Sequence, residues 1–265
     1  MTGWSLSQAA GWGLLVSLGL MTMVWLGSLI RRDASLVDRF WGVGFVVLGW
    51  FYWRTAPASD ATAVRLLAVG LVTAWGLRLS AYLSWRNWGN GEDYRYQAMR
   101  RRGGRWFPLV NLVTVHYLQG LIMWFVALPL MVAARGAASW EIPAVWVGGA
   151  LWTIGFGFEA IGDWQLIRFK ADPANRGRVL DRGLWRYTRH PNYFGDACVW
   201  WGIYLLGAAA GGWWTAVSPL IMTGLLVKVS GVALLEKQLE RTKPQYRDYI
   251  ARTSSFFPRP PRPPA

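Results

Sequence analysis

The chain has 265 residues, of which 54% are hydrophobic and 16% are charged, and 20 are tryptophan, which excludes a disordered protein and disfavours a soluble globular one. The 28 Lys and Arg against 14 Asp and Glu give a formal net charge of +14, so the position of the cations bears directly on function. One Cys and two His exclude a disulfide framework and leave too few ligands for a zinc site, so we predict no metal.

Seven apolar segments predict an all-α, polytopic integral membrane protein, because a helix needs about 20 residues to cross a bilayer. We assign residues 1–257 to one seven-helix transmembrane domain and residues 258–265 to a Pro-rich cytoplasmic tail that is extended or disordered. The first segment lacks a preceding basic region, so we expect a retained helix rather than a signal peptide. The spans lie near residues 12–30, 38–53, 63–85, 109–133, 142–167, 192–210 and 213–235.

The cations follow the odd-numbered spans: 23 of the 28 lie after spans one, three, five and seven. Under the positive-inside rule this asymmetry places the N-terminus outside and the C-terminus in the cytoplasm, as expected in a bacterial inner membrane. We expect the basic segments to contact anionic lipid headgroups. No motif that binds nucleic acid accompanies the charge, so we predict no nucleic-acid partner.

Polar residues occur within or at the edges of the spans, where an ionisable group costs at least about 2.5 to 3.5 kcal/mol. Two pairs have i, i+4 spacing, so each pair occupies one helix face. All of these residues fall in the predicted cytoplasmic half, which indicates a polar cavity open to the cytosol. The alternative is a set of helix-end charges that pair with loop arginines in the headgroup region. The residues are Asp38, Arg78, the pair Glu159 and Asp163, and the pair Asn192 and Asp196.

Two loops carry further candidate residues. Pro191 suits the first turn of a helix, so Arg189 and His190 precede the N-terminus of span six, where backbone N–H groups favour a phosphate. The Gly-rich loop at residues 89–96 is not a dinucleotide fingerprint, because no strand precedes it. Its acidic and tyrosine side chains are candidates to cap a nucleotide.

Three blocks in this order resemble the steroid 5α-reductase family in its bacterial branch. They are Trp-Gly-Leu-Arg-Leu-Ser-Ala-Tyr-Leu at residues 75–83, Gly-Asn-Gly-Glu-Asp-Tyr-Arg-Tyr at residues 89–96, and the block at residues 184–195. The resemblance covers residues 35 to 257. It implies a seven-helix membrane enzyme that binds NADPH from the cytosol and reduces the 4,5 double bond of a 3-oxo-Δ4-steroid, a hydrophobic small molecule.

The loops and the resemblance together predict the cofactor contacts. Loop arginines would pair with the pyrophosphate and the 2′-phosphate, favouring NADPH over NADH. The family acid of span six is often Glu, and Asp196 is a shortened version of it. The predicted contacts are Arg78, Glu92, Asp93, Tyr94, Arg95, Glu159, Asp163, Arg168, Arg178, Arg189, His190, Asn192, Asp196 and Tyr246.

The resemblance also implies an acid and a tyrosine that polarise the substrate ketone. Asp38 best matches the family Glu of span two, and we expect its burial to keep it protonated so that it donates. Trp75 occupies the family Tyr position, so Tyr82 or Tyr117 would substitute. A donor at the developing oxyanion contributes about 2.7 to 4 kcal/mol. The predicted substrate contacts are Trp41, Trp75, His116, Gln119 and Trp200.

Two other functions stay open. The Arg-His-Pro core at residues 189–191 also resembles prenylcysteine and phospholipid methyltransferases that use S-adenosylmethionine. Their relatives usually have a Glu pair near the last helix, whereas Leu-Glu-Lys at residues 235–237 has one Glu. The second alternative is a non-catalytic lipid-binding or assembly protein, for which the polar positions in the spans would be inert.

Overall fold

The computed structural model describes residues 3–58, 62–229, 236, 239–240, 242–243 and 245–262. Helices connected by loops make up these residues, and no strand occurs among them. The chain divides into two compact units. Unit 1 consists of Met1–Val145 and Tyr204–Ser218, and unit 2 consists of Trp146–Ile203 and Pro219–Ala265.

Unit 1 begins with three long helices and a short one. They are α1 (Leu6–Arg31), α2 (Leu36–Arg54), α3 (Thr62–Arg86) and α4 (Tyr94–Gly103). A capping box between Ser5 and Gln8 starts α1, because each side chain accepts a hydrogen bond from the other residue's backbone N–H. The Asp93 carboxylate caps α4 by accepting from the Arg95 N–H group at 2.9 Å.

The region predicted as the fourth span is divided into shorter segments. It contains α5 (Phe107–Asn111), a π-helical segment (Leu112–Tyr117), α6 (Leu118–Val126) and α7 (Leu128–Ala133). The division at Ala127 has a local cause, since Pro129 has no N–H group and fits only the first turn of α7. The hydropathy of this segment gives no indication that the helix is interrupted at Ala127.

Unit 2 contains most of two long helices, α8 (Pro143–Ala171) and α9 (Pro191–Ala209). The predicted start of a helix at Pro191 is confirmed. Towards the C-terminus follow α10 (Val217–Gly224), a π-helical segment (Leu225–Val229) and α11 (Tyr246–Arg252).

The described part of the Pro-rich tail, residues 258–262, has no helix and is held to the rest of unit 2 by backbone hydrogen bonds. The Arg259 N–H group donates to the Tyr187 carbonyl at 2.9 Å, and the Arg262 N–H group donates to the Arg252 carbonyl at 2.9 Å. These bonds were not expected from the composition of the tail.

Four helical stretches are long and apolar enough to cross a membrane, which is consistent with an integral membrane protein. They are Leu6–Arg31, Ala63–Arg86, Tyr94–Val126 and Pro143–Ala171. The second and sixth predicted spans form helices of 19 residues each. Part of the seventh, residues 230–235, lies outside the described residues.

Glycines bring helix backbones into direct contact within each unit. In unit 1 a Cβ atom on Gly76 would meet the Gly42 carbonyl of α2, and in unit 2 a Cβ atom on Gly155 would lie 2.5 Å from the Gly195 carbonyl oxygen. Small residues allow this approach between membrane helices, where packing and hydrogen bonds drive association. The contact at Gly155 sets the spacing of α8 and α9 one turn from Glu159.

We predict that Gly155→Ala destabilises the protein by about 1 to 3 kcal/mol, because the added methyl group meets backbone atoms that cannot move aside. Gly157→Ala is the matched control on the same helix, since a Cβ atom there meets nothing within 4 Å. Thermal unfolding of both variants in the same detergent measures the difference. Equal melting temperatures would show that α8 and α9 are not in backbone contact.

Candidate active site

A hydrogen-bonded cluster surrounds Asp38 at the start of α2. The Tyr96 hydroxyl donates to Asp38 Oδ1 at 2.9 Å, and the Arg95 guanidinium donates to Oδ2 at 3.2 Å. The Gln119 side chain interacts with both Asp38 and Tyr96. Tyr96 and Arg95 thus donate to Asp38 in this structure, and the expected role of Asp38 as a donor to the substrate stays a prediction.

The loop before α4 is fastened to the start of α2 by Glu92. Its carboxylate, 8% exposed, accepts from the Ala34 N–H group at 2.8 Å and from Arg100 at 2.7 and 3.0 Å. We call this set of bonds the Glu92 latch. Burial alone would raise the pKa of Glu92, but the hydrogen bonds from Arg100 and Ala34 and the charge of Arg100 outweigh it and lower the pKa. The latch is therefore fully charged at neutral pH and weakens only in acid, as pH falls through this lowered value.

Two of the predicted nucleotide-capping residues in this loop, Glu92 and Asp93, bond to groups of the protein. Glu92 forms the latch, and Asp93 both caps α4 and pairs with Arg95 at 2.9 Å. Tyr94 is 62% exposed. Tyr96 was not among the predicted site residues, although it is the buried side chain of α4. Asp is a residue type favoured at helix N-caps, so Asp93 was the sequence signal that could have placed Tyr96 in the first turn of a helix.

The two tyrosines proposed from the sequence have other surroundings. The Tyr82 ring lies 5.3 Å from the Arg78 guanidinium and 5.4 Å from that of Arg86, one turn away on each side in α3. The Tyr117 hydroxyl accepts from Thr22 Oγ1 at 3.3 Å. The structure thus brings Tyr96, rather than Tyr82 or Tyr117, to Asp38.

The four predicted substrate residues of unit 1 have different surroundings. Trp41 and Trp75 both contact the Phe45 ring edge to face, at 5.4 and 5.7 Å, and Trp75 is fully buried. His116 is buried in the π-helical segment, where its Nδ1 lies 3.2 Å from the Asn111 carbonyl oxygen. Gln119 follows in α6 and is the predicted substrate residue that reaches Asp38.

In unit 2 the predicted polar pairs of α8 and α9 meet. The Asn192 amide donates to Asp163 Oδ1 at 3.1 Å, and Glu159 and Asp163 are both buried. Asp196 and the buried Trp200 follow Asn192 at successive i, i+4 positions of α9. Two buried carboxylates and an amide therefore lie close together where α8 and α9 pack.

Arg189 and His190 contact Glu236, which the sequence analysis did not place in the site. The Arg189 guanidinium donates to Glu236 at 2.7 and 3.1 Å and to the carbonyls of Ile250 and Thr253. His190 Nε2 lies 3.1 Å from the same carboxylate. Burial alone would raise the pKa of Glu236, but bonds from His190 and Arg189 outweigh it and lower the pKa.

This arrangement changes the expected role of the Arg-His-Pro block. Arg189 and His190 are buried and bonded to protein atoms, whereas they were predicted to hold a phosphate. Tyr246, also a predicted cofactor contact, is buried beside Arg189 and Glu236. The glutamate noted at residues 235–237 was the sequence signal for this cluster.

The remaining predicted phosphate contacts are exposed. The Arg168 guanidinium lies 5.0 Å from the Trp164 ring, and the Arg178 carbonyl accepts from Lys243 Nζ. Both arginine side chains are open to solvent. Among the described residues, no group of three His, Cys, Asp or Glu side chains is placed to hold a metal ion.

Comparison with known proteins gives a family and one distant relative. Uncharacterized protein C594.04c of Schizosaccharomyces pombe is 28% identical over 278 residues, which cover 93% of this chain and 79% of the relative. No solved structure matches the chain. The family described as Protein of unknown function (DUF1295) matches residues 24–253. The chain belongs to this family, which is part of the steroid 5α-reductase-like superfamily.

Proposed function

We propose that this protein is a membrane-embedded, NADPH-dependent reductase of conjugated enones, and that its substrate class is the 3-oxo-Δ4-steroids. The observation that carries the proposal is the Tyr96 hydroxyl at 2.9 Å from Asp38. An acid paired with a tyrosine is what the resemblance implies at a ketone-polarising site. The proposed topology has seven spans, the N-terminus outside and the C-terminus in the cytoplasm, which puts Asp38 at the cytoplasmic side.

Reduction of an enone is promoted by a hydrogen-bond donor at the ketone oxygen, and the α-carbon takes up a proton from solvent after hydride transfer to give the saturated ketone. Hydride addition to the β-carbon moves an electron pair through the conjugated system and builds negative charge on that oxygen. A positioned O–H group stabilises the charge by about 2.7 to 4 kcal/mol. In the described structure Tyr96 is the buried hydroxyl that faces a carboxylate in this cluster.

The Tyr96 hydroxyl has one hydrogen, which it gives to Asp38 in this structure. A bound ketone oxygen would compete for that hydrogen. When the hydroxyl turns to the ketone, Asp38 keeps its interactions with Arg95 and Gln119, so the carboxylate is not left without donors. Arg95 and Gln119 thus lower the cost of releasing Tyr96 to the substrate.

The polar groups of unit 2 fit the donors and acceptors of NADPH. The buried carboxylates of Glu159 and Asp163 suit ribose hydroxyl or carboxamide N–H donors, and the Asn192 amide supplies both a donor and an acceptor. The exposed guanidinium groups of Arg168 and Arg178 suit phosphate oxygens. When bound, NADPH supplies the hydride. Arg189 and His190 would support this site through Glu236 rather than by touching a phosphate.

A second candidate is a methyltransferase that uses S-adenosylmethionine. It is favoured by one observation, the Glu236 carboxylate held by both Arg189 and His190 of the Arg-His-Pro core. A glutamate near the last helix is part of what that resemblance implies, and here it contacts the core.

A single pair of assays decides between the two. The purified protein is incubated with NADPH and a 3-oxo-Δ4-steroid, and absorbance of the reduced nicotinamide is followed. A reductase consumes NADPH in proportion to the saturated ketone formed. Methyl transfer from S-adenosylmethionine to a prenylcysteine or phospholipid, without NADPH oxidation, would establish the alternative.

We predict that Tyr96→Phe lowers turnover by about 10² to 10³-fold, the effect of losing one oxyanion donor, while NADPH affinity is unchanged. Turnover is measured by NADPH oxidation and affinity by tryptophan fluorescence. Tyr82→Phe removes the same atom from the tyrosine between Arg78 and Arg86 and should have a much smaller effect. The reverse ranking would return the donor role to Tyr82.

We predict that Glu92→Ala lowers turnover by about 10- to 100-fold, because release of the latch displaces Tyr96 from Asp38. Glu92→Gln should recover part of the activity, since its amide oxygen still accepts from the Ala34 N–H group. NADPH affinity should stay the same in both variants. A loss of affinity with unchanged turnover would instead assign Glu92 to nucleotide capping.

We predict that Asn192→Ala weakens NADPH binding at least about tenfold, because Asp163 then loses a hydrogen bond and the cofactor loses an amide partner. Fluorescence titration with NADPH measures the affinity, and thermal unfolding checks that the variant is folded. Unchanged NADPH affinity in a folded variant would remove Asn192 from the cofactor site.

A further inference from the structure

Unit 2 contains a cleft of about 540 Å³ that the proposed reductase site does not use. It lies between the loop before α9 on one side and the end of α11 with the tail on the other. None of its residues was predicted to bind cofactor or substrate. The lining residues are Asp181, Arg182, Gly183, Arg186, Arg252, Thr253, Pro261 and Arg262.

The cleft has a strong excess of positive charge. Four arginines face one acid, Asp181, whose Oδ2 lies 3.5 Å from the Arg252 guanidinium. Arg186 and Arg262 have no acidic partner among the described residues. Like charges held in one concave space repel each other, and a bound anion relieves that repulsion.

Both walls of the cleft are fixed by hydrogen bonds. On one side the Leu184 N–H group donates to Gln165 Oε1 at 3.0 Å, and the Trp185 indole donates to the Gly162 carbonyl at 3.0 Å. The Tyr249 hydroxyl of α11 donates to the Trp185 carbonyl, which ties the second wall to the first.

The tail completes the second wall. The Arg262 N–H group donates to the Arg252 carbonyl at 2.9 Å, which keeps Arg262 beside α11. These bonds fix the backbone from which the four arginine side chains extend, so ligand binding does not have to order the two walls of the cleft. The tail, to which the sequence analysis gave no role, thus contributes a cation to a built cleft.

We propose that this cleft binds the phosphate group of an anionic ligand. Guanidinium groups bind phosphate oxygens through pairs of parallel N–H bonds, and a phosphate dianion can engage several of them at once. A free phosphate compound and the phosphate of a lipid headgroup present the same chemistry to the cleft. The ligand contacts are Arg182, Arg186, Arg252 and Arg262.

The test uses the full chain in phosphatidylcholine nanodiscs, titrated with inorganic pyrophosphate by calorimetry. Arg186→Gln and Arg262→Gln should each weaken binding about tenfold, because each removes charge-assisted bonds. Arg247→Gln is the matched control, since Arg247 is an exposed cation of α11 outside the cleft and its variant should bind normally. Binding should also weaken as salt is raised.

A second arm identifies the source of the phosphate. If a lipid supplies it, nanodiscs that contain phosphatidic acid raise the melting temperature of the wild type and of Arg247→Gln, but not of Arg186→Gln or Arg262→Gln. If a free compound supplies it, pyrophosphate gives this pattern and phosphatidic acid does not. The proposal is overturned if neither probe distinguishes the two cleft variants from Arg247→Gln, or if both cleft variants lose NADPH binding in parallel, since the cleft would then belong to the cofactor site.

Discussion

The need of Asp38 for hydrogen-bond donors sets the architecture at the start of α2. A carboxylate at the edge of an apolar helix is costly unless nearby groups donate to it. Tyr96 and Arg95 supply those donors, so α4 has to lie against the beginning of α2. The Glu92 latch repeats this principle one turn away, because its carboxylate satisfies a backbone N–H group that precedes α2. Charge satisfaction therefore orients a hydroxyl that hydrophobic packing alone would leave free to turn.

Close backbone contact plays the corresponding part in unit 2. Helices that meet at glycines can bring short polar side chains together, since an amide such as Asn192 reaches only a short distance from its backbone. The approach at Gly155 and Gly195 lies one turn from Glu159 and allows Asn192 to reach Asp163. The hydrogen bond in turn satisfies one of two buried acids. Packing and polar chemistry are thus coupled. If the glycine contact loosened, Asn192 would move away from Asp163, and the buried carboxylate would lose this hydrogen bond.

The sequence predicted local features well and distant pairings poorly. Helical segments, the start at Pro191 and the shared face of Asn192 and Asp196 follow from apolar runs, proline chemistry and 3.6-residue periodicity. The partners Asp38 and Tyr96 are 58 residues apart, and His190 and Glu236 are 46 apart. No periodicity specifies such partners. Periodicity also missed the division of the fourth segment, which depends on one proline.

The arginines show why residue type alone did not locate an anion site. Arg189 looked like a phosphate ligand because it precedes a helix N-terminus, but a carboxylate and two carbonyls take its N–H groups. Arg186, three residues earlier, faces a cleft in which cations outnumber acids. A guanidinium group acts on a ligand only where the protein leaves its donors unmatched. The arginines of this chain therefore differ in their surroundings: some pair with Glu92, Asp38 and Glu236, whereas those of the cleft outnumber its one acid, and that excess favours binding of an anion.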